Sequence, residues 1–156
     1  MTPAINLAKR NKIEYTIHEY THDTAVDSYG LEASEKLGVE EERVFKTLVV
    51  ELHDKTLAVA IIPVSSMLNM KQMAKAMKAK KCAMANKSDV EKSTGYILGG
   101  VSPLGQKKSL KTVVDISAKE FETIFISGGR RGLDIELSPF DLEKLTRASF
   151  QSLTIL

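Results

Sequence analysis

Residues 44–52 and 56–64 are two apolar runs separated by His53, Asp54 and Lys55. Apolar, β-branched runs of this length broken by a short polar step are the pattern of a hairpin, so an antiparallel pair is predicted here. Within the first run, the strand period of two puts Lys46 on the same side as Leu48, Val50 and Leu52. A charge aimed at an apolar face is costly unless the ammonium reaches solvent, a partner or a bound anion, which makes Lys46 a candidate pocket residue. A strand-end lysine snorkelling into water would give the same pattern.

The other elements follow from local signals. Thr2 followed by Pro3 starts a helix that ends near Asn11, and residues 13–21 read as a strand followed by a polar turn over 22–28. A helix over 31–37 is stopped by Gly38, and a short acidic turn over 40–42 leads into the hairpin. Residues 69–78 and 87–93 read as helices, 81–84 as a short strand, 112–115, 123–126 and 133–137 as strands, and 139–146 as a terminal helix. Strands and helices mix without a βαβ rhythm, which predicts an α+β fold with a curved mixed sheet and helices outside it.

A chain of 156 residues, 43% hydrophobic, fits a single domain over 1–156. It has no run of about 18 apolar residues, Met1-Thr2-Pro3-Ala4 lacks the apolar core and cleavage site of a secretory signal, and its one cysteine, Cys82, suits a reducing compartment, so a soluble internal protein is expected. Charge is unevenly spread. Residues 1–68 carry 7 Lys/Arg against 11 Asp/Glu, residues 69–112 carry 10 against 2, and residues 113–156 carry 5 against 7. A basic middle third between acidic flanks is a footprint expected for a phosphate backbone, although a solvated lysine-rich helix face has the same composition.

Several motifs fail on context. His18-Glu19-Tyr20-Thr21-His22 matches the zinc-binding H-E-x-x-H pattern, but its neighbours favour a strand, where residues four apart lie about 13 Å from one another and cannot share a metal. Gly100 to Lys107 approaches a phosphate-binding loop, yet Gln106 stands where the lysine is required. Cys82 reads as structural, and Met67, Met70, Met73 and Met77 as a packed helix face. No metal site or cofactor motif is expected.

Two glycine-rich stretches remain: Gly99-Gly100-Val101-Ser102-Pro103-Leu104-Gly105-Gln106-Lys107-Lys108 and Ser127-Gly128-Gly129-Arg130-Arg131-Gly132-Leu133-Asp134-Ile135-Glu136-Leu137. Adjacent glycines let backbone N–H groups approach a ligand closely, as polarising an ester carbonyl requires, and they also make turns and bulges. With Met1-Thr2-Pro3-Ala4, His22-Asp23, Phe45-Lys46-Thr47-Leu48 and Lys92-Ser93-Thr94-Gly95-Tyr96, these stretches make the chain resemble the YbaK family, freestanding relatives of the editing domain inserted in bacterial prolyl-tRNA synthetases.

The resemblance implies a barrel-like mixed sheet surrounded by helices, and a cytoplasmic enzyme acting in trans, beside prolyl-tRNA synthetase, on mischarged tRNA(Pro). In the cysteine-specific branch the substrate's own thiol attacks the ester and leaves as a thiolactone. By the same resemblance Lys46 positions the terminal adenosine and ester, Gly99 and Gly100 give backbone contacts, and Tyr20, Thr47, Ser127 and Asp134 fall on pocket positions. Tyr29 stands where several relatives carry phenylalanine, which leaves an alanine-specific or broad deacylase as the alternative activity. A non-catalytic tRNA- or synthetase-binding module is the alternative from another class. Lys75, Lys78, Lys80, Lys81, Lys107 and Lys108 are expected to meet the tRNA backbone.

Overall fold

The structure, a computed structural model, describes residues 1–23 and 29–155; the side chain of Tyr29 and most of the expected 22–28 turn lie outside the described residues. Helix α1 (Pro3–Arg10) starts where its cap predicts, the Thr2 hydroxyl accepting from the Ile5 N–H at 3.3 Å. It buries Ala4, Ile5 and Ala8. β1 (Tyr15–Glu19) and α2 (Tyr29–Leu37) follow, and Gly38, at φ +66°, ends the helix.

The predicted hairpin is the centre of the main sheet. β2 (Phe45–Leu52) and β3 (Leu57–Pro63) pair antiparallel from Phe45 opposite Pro63 to Glu51 opposite Leu57. After β4 (Met67–Leu68) and α3 (Met70–Ala76), β5 (Cys82–Met84) joins the free edge of β2. Helix α4 (Lys87–Thr94), β6 (Lys111–Asp115), β7 (Ile124–Arg130), β8 (Leu133–Leu137), α5 (Pro139–Thr146), β9 (Ser149–Gln151) and β10 (Thr154–Ile155) complete the order. The main sheet runs β5-β2-β3-β6-β9, with β6 parallel to both neighbours, and a second, antiparallel sheet runs β1-β8-β7. β4 and β10 form a separate ribbon, and one parallel bridge, Val44 to Phe125, links the entry of β2 to β7. The fold is α+β with mixed pairing.

β2 feeds two cores. Phe45 and Val49 join Ile61, Ile124, Ile126 and Ile135 on one side, while Val50 and Leu52 pack with Ile62, Met73 and Leu153 on the other. Each fully buried branched side chain contributes about 1.5–3 kcal/mol of transfer free energy, so these layers hold the strands that carry the site.

Three local expectations change. β7 runs on through Ser127, Gly128 and Gly129 to Arg130, with a register shift against β8, so the second glycine stretch is a bulged strand where a turn was also open. Gly129 sits at φ +111°, and a Cβ there would come within 2.8 Å of the Tyr96 ring and 2.9 Å of Thr2. Met67 is 70% exposed in β4, so it is not part of the α3 face that buries Met73. β4, β9 and β10 have no counterpart among the strands expected from the sequence.

Candidate active site

Lys46 enters the site from the first turn of the pleat in β2, where the main sheet approaches β7, and Thr47 lies beside it. Tyr20 arrives from the end of β1, its N–H donating to Gly132 O at 3.0 Å. Ser127 and Asp134 are direct cross-strand partners on β7 and β8, and Gly99 comes from the long glycine stretch. These six line one cavity of about 450 Å³. Gly100 lies behind this wall, packed so closely that a Cβ would fall 2.7 Å from the Arg130 Cα.

The cavity has a distinct electrostatic character. Lys46 is half-buried, burial pulls its ammonium below the usual lysine range, and no carboxylate among the described residues forms an ion pair with it. Asp134 is only 6% exposed, and burial pushes its carboxyl up to about 7. Burial, and then the neighbouring Asp134, push the Tyr20 phenol up to about 12. The Thr47 hydroxyl is buried with no hydrogen-bond partner among the described residues. A polar atom left so is available to a ligand group entering the cavity.

Asp134 gives a stability prediction with a defined sign. Its folded pKa lies above the ordinary value, so its contribution is fully present below the unfolded pKa near 4 and is lost as pH rises through about 7. Asp134→Asn should therefore gain stability relative to the native chain between pH 4 and 8, by up to a few kcal/mol. Chemical denaturation at the two pH values measures it; a difference independent of pH would mean that Asp134 ionises normally.

Residues without a sequence signal complete the walls. Leu48, Leu98 and Val101 are apolar lining, and α2 contributes Gly30 and Ala33. Gly30 allows α2 to lie against Val64, the residue that follows β3, since a Cβ there would come within 2.2 Å of Val64 Cγ1. Arg130 and Arg131 reach the rim already engaged, Arg130 with Glu19 at 3.1 Å and Arg131 with Glu32 at 3.5 Å. Glu32 itself is buried; burial would raise its carboxyl, but the Asp23 N–H at 2.7 Å, His22 and Arg131 together hold it low.

Among the described residues the lining contains neither histidine nor cysteine. His18 lies in β1 and pairs with Glu136 at 2.9 Å, while His22 lies beyond the strand and faces Glu32 at 3.5 Å, so the two imidazoles serve different carboxylates. Among the described residues no group of three or more His, Cys, Asp or Glu could hold a metal ion, and no helix is long and apolar enough to cross a membrane. Cys82 packs from β5 against the second core, its Sγ 3.3 Å from Met70 O, and burial pushes its thiol up.

Lys75, Lys78, Lys80, Lys81, Lys107 and Lys108 are all exposed, and none lines the cavity. Lys78 and Lys108 meet in a separate cleft of about 740 Å³ with Lys55 and Lys111.

The family model described as aminoacyl-tRNA editing domain matches residues 24–145. Over 154 residues the chain is 38% identical to EbsC of Enterococcus faecalis, provisionally named a Cys-tRNA(Pro)/Cys-tRNA(Cys) deacylase, covering 98% of this chain and 93% of EbsC. A hypothetical protein of known crystal structure is 25% identical and superposes with a TM-score of 0.88 over 99% of this chain and 100% of its own. A second crystal structure, provisionally described as a trans-editing enzyme for prolyl tRNA synthetase, covers 100% of this chain and 99% of its own at 19% identity and TM-score 0.84, a likeness of fold.

Proposed function

The chain belongs to the aminoacyl-tRNA editing domain family and is an aminoacyl-tRNA deacylase; from that premise we propose that it clears cysteine from tRNA(Pro), acting in trans beside prolyl-tRNA synthetase in the cytoplasm. The observation that carries the choice of amino acid is the composition of the pocket. Among the described residues it offers the unpaired Lys46 ammonium, the hydroxyls of Tyr20, Thr47 and Ser127 and the buried Asp134 carboxyl, and no imidazole or thiol. Such a site suits a substrate that brings its own nucleophile, and the name of EbsC supports cysteine.

In this mechanism the cysteinyl sulfur attacks its own ester carbonyl. A C–S bond forms, the ester C–O bond breaks, and the thiol proton passes to the departing ribose oxygen, which leaves free tRNA and a cyclic thiolactone. Attack within one held molecule gains the effective concentration that two separate reactants lack. Lys46 positions the terminal adenosine and ester, and the backbone at Gly99 contacts the aminoacyl group, while Gly100, behind the wall with its N–H donating to Ile97 O at 2.9 Å, holds Gly99 in place. Tyr20, Thr47 and Ser127 shape its surroundings. Asp134 orients groups and is not the base, because the proton goes from sulfur to oxygen. The exposed lysines at 75, 78, 80, 81, 107 and 108 hold the tRNA backbone without reading its sequence.

Single-turnover deacylation of cysteinyl-tRNA(Pro) and alanyl-tRNA(Pro) tests the assignment. Cysteine should be released at least about tenfold faster, a difference near 1.4 kcal/mol in barrier. Equal rates would make the protein a broad deacylase, and the reverse order an alanine-specific one.

A further inference from the structure

The stretch that brings Leu98, Gly99 and Val101 to the pocket continues into a second, larger cavity of about 770 Å³, which it lines with Pro103, Gly105 and Gln106. The remaining walls come from α1, residues 108–112 and the C-terminal end of α5. Three cations converge there: Arg10, Lys108 and Arg147. All are exposed, and among the described residues none forms an ion pair with a carboxylate and no Asp or Glu lines the cavity. Other clefts differ. The one holding Lys78 also holds Glu51, Asp54 and Asp89, and the one beside β1 is lined by Glu14, Glu122, Glu136 and Asp141 with no Lys or Arg.

Positive charge without compensating carboxylates, on a concave surface, concentrates polyanions. The wall is also preorganised. Gly105 sits at φ +69°, where a Cβ would lie 2.7 Å from Pro3 O, so the loop rests directly on the first turn of α1. Gln106 Nε2 donates to Ser102 O at 3.0 Å, and the N–H groups of Lys107 and Lys108 donate to Thr94 O and Ser93 O at 3.0 and 2.9 Å. A fixed wall costs little ordering when a ligand binds.

We infer that this groove holds the phosphate backbone of the RNA whose 3′ end occupies the pocket, with Arg10 and Arg147 as phosphate contacts. The inference rests on the proposed function for the RNA's identity. The two sites share one wall: Val101 lines the pocket and Pro103 the groove, a chain separation of at most about 7 Å. That separation is shorter than the span of a few nucleotides, so the inference places the groove on the RNA's path out of the pocket.

The test is Arg10→Gln/Arg147→Gln, titrated with uncharged tRNA over a range of salt. Affinity near physiological salt should fall at least tenfold, and the slope of log K against log salt should lose about 1.5, roughly 0.7–0.9 for each phosphate contact. Arg10→Lys/Arg147→Lys should keep both. Native affinity and slope in a glutamine variant with the native thermal midpoint overturn the groove. Displacement of tRNA by a polyglutamate peptide as effective as RNA of equal charge would overturn RNA as the occupant. If the double variant does not fold, Arg10→Gln alone, at an exposed helix end, should show half the slope change, and an unchanged slope there overturns the groove. Hydrolysis of cysteine esterified to an adenosine fragment too short to reach the groove tests the pocket by itself, so loss of that activity in the native protein defeats the proposed function independently.

Discussion

Lys46→Ala should lower single-turnover deacylation by well over tenfold, about 1.4 kcal/mol or more of transition-state stabilisation, while leaving the fold intact. The two halves of that expectation have one cause. Lys46 is half-buried, pays a desolvation cost for its charge and has no carboxylate partner among the described residues to offset it. A cation held in this way contributes nothing to folding through ion pairing, so alanine should leave the thermal midpoint unchanged or raise it slightly. We propose that its use is to meet a ligand. Single-turnover rates with the midpoint measured alongside decide the matter, and near-native activity would remove Lys46 from the site. Lys46→Arg should restore activity only in part, because a planar guanidinium does not replace a compact ammonium.

A larger discrimination is expected between substrates than between most variants. Under the proposed mechanism, seryl-tRNA(Pro) should react at least a hundredfold more slowly than cysteinyl-tRNA(Pro), about 2.7 kcal/mol in barrier, since a hydroxyl of similar size would replace the attacking sulfur. Cys82→Ala should retain full deacylation. Cys82 lies on β5 against the second core, outside the pocket lining, and its thiol is pushed up by burial, the reverse of an activated nucleophile. Similar rates with serine and cysteine, or an inactive but folded Cys82→Ala, would require an activated water or a protein nucleophile instead.

What the sequence made legible was whatever carried a local pattern. The apolar runs around His53 become β2 and β3, the Thr2-Pro3 start becomes α1, and 139–146 becomes α5. β4, β9 and β10 were not legible because two- and three-residue strands have no periodicity of their own; they exist through distant partners, Met67 with Ile155 and Val113 with Ser149. The glycines of β7 masked a strand, since a bulge and a turn call for the same residue. In the site, Lys46 stood out because a charge broke an apolar alternation. Tyr20, Thr47, Ser127 and Asp134 came from the family resemblance, and the structure brings them to one cavity. Leu48, Leu98, Val101 and Ala33 carry no chemical signal in isolation and are gathered only by packing. Arg130 and Arg131 were visible in the glycine stretch, but their pairing with Glu19 and Glu32 spans 111 and 99 positions of chain, beyond any local pattern.

The contacts that bar a side chain at Gly100, Gly105 and Gly129 also divide the molecule into a part that can drift and a part that cannot. At each of these positions a methyl group would strike backbone, an aromatic ring or the start of α1 within 3 Å, and two of the three have positive φ as well. Leu48 and Leu98, by contrast, touch the cavity with side chains whose bulk can change while the backbone stays in place. A lineage, or a laboratory library, seeking a deacylase for another amino acid therefore has its freedom in those apolar positions, and the glycines between them are the hinge pins on which every such variant must still hang.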